Sequence, residues 1–143
     1  MTVSKEFLFE LAAAAARETL PRFRQNGAIQ NKLAAGFDPV TEADQAAEVA
    51  IRRLIEQKYP GHGILGEEHG SVRLDSDHIW VIDPIDGSLN ARRTVPLHSV
   101  SIAVAEGDSM ADVSLGYVYE FGAGEEIRTE VSAKFGSSHP QRI

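Results

Sequence analysis

Apolar residues first recur along the chain at spacings of three and four. Phe7, Leu8, Leu11, Ala12, Ala15 and Ala16 fall on one helical face, which predicts a helix over roughly residues 5–24. Its alanine run favours helix and permits close packing. The stretch NGAIQNKLAAGFDP carries Gly27, Gly36 and Pro39 and reads as a loop. A second stripe, Ala43, Ala47, Ala50, Ile51, Leu54 and Ile55, predicts a helix from about Thr41 to Tyr59, stopped by Pro60 and Gly61. The pattern then shortens. GILGE, HIWVID, HSVSIAVAEG and ADVSLGYVYEF have the length and the β-branched and aromatic content of strands. EGDSMAD reads as the turn between two long antiparallel strands, and EEIRTEV as a further candidate strand. Two helices followed by consecutive strands indicate an α+β fold with a mostly antiparallel sheet. The segment 1–131 is expected to form one domain. The polar tail 132–143, SAKFGSSHPQRI preceded by Val131, is expected to be irregular.

Composition narrows the function classes. In 143 residues, 14 Lys and Arg stand against 21 Asp and Glu, a net charge of -7. That balance argues against a nucleic-acid partner, which calls for a basic surface. No cysteine is present, so disulfides, thiolate-zinc sites and thiol catalysis are excluded, and a cytoplasmic location is expected. No basic stretch leads into a long apolar run at the N-terminus, and no run approaches the length of a membrane span, so neither a signal peptide nor a membrane partner is expected.

The acids raise the sharper question. DPVTEAD sets Asp38, Glu42 and Asp44 at the start of the second helix. LGEEHG sets Glu67 and Glu68 at the end of a short strand. WVIDPIDGSLN sets Asp83 and Asp86 at the end of another. Each has an ordinary explanation. Thr41 and Asp44 make a capping box, Glu67–Glu68 a solvated turn, and Asp-Pro with Gly87 a tight turn. Together they suggest one cluster. Two like charges about 4 Å apart cost roughly 1 kcal/mol in water and about 4 kcal/mol at an effective dielectric near 20. A convergent set therefore calls for protons or a cation, and oxygen donors without His or Cys suit Mg²⁺ or Ca²⁺. The spacing excludes an EF-hand, since the twelfth residue from Asp83 is Thr94. It also counts against the haloacid-dehalogenase phosphatases, whose two acids are separated by one residue. The five histidines, His62, His69, His78, His98 and His139, lack ligand spacings and read as structural or surface groups, and Arg92 and Arg93 as a solvated loop.

WVIDPIDGSLN resembles the signature W-x-[IV]-D-P-[IL]-D-G-[ST]-x-N of the inositol monophosphatase family. Asp38, Thr41 and Asp44 match its D-x-x-T-x-x-D, and Gly66, Glu67 and Glu68 its G-E-E. The resemblance spans roughly residues 5–127. It implies the N-terminal half of a fold shared with fructose-1,6-bisphosphatase, and Mg²⁺-dependent hydrolysis of an inositol or sugar phosphate monoester. It implies that Glu67, Asp83 and the Ile85 carbonyl hold one Mg²⁺, and that Asp83 and Asp86 hold a second. Thr41, Asp44 and Ser88, together with Glu67, are implied in positioning and activating the attacking water. Gly87 and Ser88 are implied in offering backbone N–H groups to the phosphate. A homodimer is also expected. The family's second half, with its W-D-x-A-A-G motif, has no counterpart here. The alternative expectation is therefore a truncated, weakly active or inactive member that serves as a fragment or interaction module.

Overall fold

A computed structural model describes residues 3–23, 39–87, 98–122, 124–130 and 141–142. Helix α1 spans Lys5–Phe23 and helix α2 spans Pro39–Lys58. Seven strands follow: β1 (Gly63–Gly66), β2 (Gly70–Val72), β3 (Ile79–Asp86), β4 (Ser99–Ala105), β5 (Val113–Glu120), β6 (Glu125–Glu130) and β7 (Gln141–Arg142). They form one sheet in the order β2-β1-β3-β4-β5-β6-β7. Among the described residues only β1 and β3 run parallel; every other neighbouring pair is antiparallel. The α+β architecture read from the sequence is the one observed.

Four local details differ from the sequence reading. α2 begins at Pro39, where the missing N–H costs nothing, so Thr41 lies in its first turn and is not the N-cap. Gly70–Val72 forms an edge strand although its three residues carry no alternation. β3 continues past Asp83 to Asp86, through a proline. Within the tail expected to be irregular, Gln141 and Arg142 pair with Arg128 and Ile127.

The helices pack on one face of the sheet. Phe7, Leu8, Leu11, Ala12 and Ala15 of α1 and Ala47, Ile51 and Ile55 of α2 meet Ile64, Trp80, Ile82, Val100, Ile102, Val104 and Leu115. These positions follow the helical period on one side and the strand period on the other. Phe7 stacks edge-on against Trp80 and Tyr59, with ring centroids 6.0 and 5.6 Å apart. Trp80 is fully buried, and its indole N–H donates to His62 Nδ1 at 3.0 Å.

The opposite face of the sheet has no helix over it among the described residues. Pairing aligns Leu65 with Val81 and Val81 with Ala103 in one row, and Asp83 with Ser101, Val118 and Ile127 in the next. Leu65, Val81, Val118 and Ile127 are all exposed there. A groove of about 620 Å³ runs over this apolar floor, and Glu67 and Asp83 stand among its lining.

Candidate metal centre

The parallel pairing of β1 and β3 brings the first two acids together. Gly66 pairs with Ile82, and Glu67 N–H donates to the Ile82 carbonyl at 3.3 Å. Glu67 and Asp83 therefore leave adjacent strands side by side, within electrostatic reach of each other. Burial raises the Asp83 pKa from 3.8 to about 7, helped by the adjoining Glu67 carboxyl and by the charge of Asp86, and opposed by the Ile85 N–H. Asp83 Oδ1 is buried and has no hydrogen-bond partner among the described residues.

A bulge brings in the third acid. In a regular strand, residues three apart point to opposite faces. Here the pairing of β3 with β4 shifts between Asp83 and Asp86, where Pro84 has no N–H for the ladder. Pro84 and Ile85 are both buried in succession, so the alternation is broken and Asp86 emerges exposed within electrostatic reach of Asp83. Gly87 follows with φ at 88°, a conformation that a side chain resists.

A further acid expected at the site, Asp44, lies on α2. Asp44 is buried there, one helical turn before Glu48 and one after Thr41. The side chain of Thr41, and Asp38, Ser88, Arg92, Arg93 and His139, lie outside the described residues. Glu68 is raised by partial burial, then by Glu67 and Glu48, with His69 opposing.

Sequence reasoning missed Glu48, although it sits on the apolar stripe of α2 beside Ala47 and Ile51, with Arg52 one turn on. It is a fully buried carboxylate. An acid in a helix's apolar stripe, followed at i+4 by arginine, is the signal that could have found it. The histidines have the structural roles expected of them among the described residues. His62 stacks on Tyr59 and on His78, with centroids 4.7 and 4.8 Å apart.

Among the described residues no three Asp, Glu or His side chains are placed together so that they could hold a metal ion. Glu67, Asp83 and Asp86 nonetheless fit a hard dication by donor chemistry. They are oxygen donors only, they repel one another, and one buried oxygen lacks a partner.

The sequence model of the inositol monophosphatase family matches residues 2–136. This chain belongs to the inositol monophosphatase family. Inositol-1-monophosphatase of Caulobacter vibrioides is 36% identical over 105 residues, 72% of this chain and 41% of that protein. Histidinol-phosphatase of Chlorobaculum parvum is 37% identical over 125 residues, 84% of this chain and 48% of that protein. The crystal structure of inositol monophosphatase-II from Staphylococcus aureus superposes with a TM-score of 0.74 at 27% identity, covering 96% of this chain and 48% of that one. This family member thus spans about half the length, or less, of the relatives it matches.

Proposed function

We propose that this chain carries the acid cluster of a Mg²⁺-dependent phosphoric monoester hydrolase, acting on a phosphorylated polyol or sugar in the cytoplasm. The observation that carries this reading is the Glu67–Asp83 pair. The two acids leave adjacent strands side by side, and one Asp83 oxygen is buried without a partner among the described residues, in a chain whose relatives include an inositol-1-monophosphatase and a histidinol-phosphatase.

In this reading Glu67, Asp83 and the Ile85 carbonyl would hold one ion, and Asp83 and Asp86 would hold the other. Bound Mg²⁺ supplies positive charge that neutralises acids and phosphate together and makes water more acidic. The chain's own residues do the rest. Thr41 and Asp44, on one face of α2, orient the water and take its proton, with Ser88 assisting. Gly87, with no side chain and φ at 88°, lets the phosphate approach the backbone N–H groups of Gly87 and Ser88.

The test is phosphate release by the purified chain from a panel of inositol and sugar monophosphates, with Mg²⁺ and with EDTA. Mg²⁺-dependent release that disappears in Asp83→Asn supports the reading. No release from folded protein by either chain counts against it.

A second reading is favoured by the open apolar sheet face. There the chain pairs through Leu65, Val81, Val118 and Ile127 with a second copy of itself, as an interaction module without turnover. A dimer in sedimentation, with no phosphate release under any condition, would support it.

A further inference from the structure

We propose that Glu48, held by Arg52, is the positioning residue that sets the turn carrying Glu67 to the metal. This rests on the metal reading proposed above. Glu48 lies on α2, behind the turn that joins β1 to β2, and is fully buried. Its acceptor atoms are spent on that turn. Oε2 accepts the Glu68 N–H at 2.7 Å, and Oε1 accepts the His69 N–H at 3.0 Å. Oε1 also accepts Arg52 Nε at 2.8 Å. The same guanidinium donates through Nη2 to the Gly70 carbonyl. The His69 ring adds a contact from Nε2 to the Gln45 carbonyl at 3.1 Å. Residues 68, 69 and 70 are therefore each tied to α2.

The arrangement is directed at Glu67 for two reasons. Glu67 is fixed on its other side by its bond to Ile82, so its backbone is held between β3 and the clamp. Gly66 is also required by it. A Cβ at that position would run into the Glu48 carboxylate and the Arg52 guanidinium. A buried carboxylate is costly unless it is paired and fully hydrogen-bonded, and an apolar residue would fill the same space without that cost. The Glu48 oxygens are taken up by the Glu68 and His69 N–H groups and by Arg52, so the clamp orients Glu67 without offering those oxygens to the cation.

The test is calorimetric titration of Mg²⁺ into the full chain, with amide hydrogen exchange followed at Glu68 and His69. Three proteins are compared: the wild type, Glu48→Gln, and Ile51→Ala as a control that weakens the core without touching the turn. We expect Glu48→Gln to bind Mg²⁺ about tenfold more weakly, the effect typical of a group that orients a ligand, with faster exchange at both amides. Ile51→Ala should keep wild-type affinity in its folded fraction, which separates positioning from general stability. A folded Glu48→Gln with wild-type Mg²⁺ affinity overturns the proposal. If Glu48→Gln does not fold, Arg52→Lys takes its place, since it keeps the cation but cannot reach both Glu48 and Gly70. Weaker Mg²⁺ binding by that variant supports the proposal and unchanged binding overturns it. A wild type that takes up no Mg²⁺ brings down the metal reading, and the positioning role with it. Protected amides at Glu68 and His69 would then mark Glu48 as a structural clamp alone.

Discussion

Glu67 and Asp83 emerge side by side from β1 and β3, the only parallel strand pair among the described residues. The pair is a source of instability while no cation is bound. Asp83→Asn removes one of the repelling charges and keeps a hydrogen-bond donor towards Glu67. In EDTA at pH 8, above the value of about 7 at which Asp83 loses its proton, the variant should melt above the wild type. Asp83 is only partly buried, so solvent screening limits the gain to the order of 1 kcal/mol. Thermal unfolding in EDTA reads it, and a lower melting point in the variant would contradict the electrostatic account.

The His62–Trp80 bond ties stability to pH. His62 Nδ1 can accept the indole N–H only while it carries no proton. Burial, and then the neighbouring His78, lower its pKa from 6.5 in the folded chain. At pH 8 the ring is neutral in both folded and unfolded chains, and its contribution is fully present. As the pH falls below 6.5 the unfolded chain takes up a proton that the folded chain resists, so this contribution is lost. His98, also lowered by burial, acts in the same direction, although Glu120 opposes it. Urea unfolding between pH 8 and 5 should show a shallower decline in His62→Gln than in the wild type.

Ile51 is fully buried between the helices and the sheet. Ile51→Ala should lower unfolding free energy by roughly 2–5 kcal/mol, the range for a truncated core side chain. Equilibrium urea denaturation measures it. A loss well under 1 kcal/mol would mean that the helices are loosely seated on the sheet.

Gly87 separates backbone strain from chemistry. Its φ of 88° makes Gly87→Ala costly by about 1–2 kcal/mol. If phosphate sits against this backbone, KM for the phosphate ester should rise in the same variant. Unfolding measurements and steady-state kinetics together separate the two effects. A stability loss with unchanged KM would remove Gly87 from the phosphate site.

Much of this protein was legible in its sequence because the signals are local. The three- and four-residue recurrence of Leu8, Leu11, Ala12 and Ala15, and of Ala47, Ile51 and Ile55, fixes which helical faces are apolar, and those faces are the buried ones. The short β-branched runs around Trp80, Ile102 and Leu115 mark strands for the same reason. The three acidic motifs declared themselves as residues, and with them the family. What they do together was decided by tertiary structure. Strict alternation would have sent Asp83 and Asp86 to opposite faces. The bulge at Pro84 and Ile85 reverses that, and only the β3–β4 register reveals it. The juxtaposition of Glu67 with Asp83 comes from a parallel pairing that no local pattern specifies. Glu48 was not singled out from the sequence at all. Its burial beneath the Glu67–His69 turn exists only once α2 is laid on the sheet, because its hydrogen bonds reach twenty and twenty-one residues along the chain.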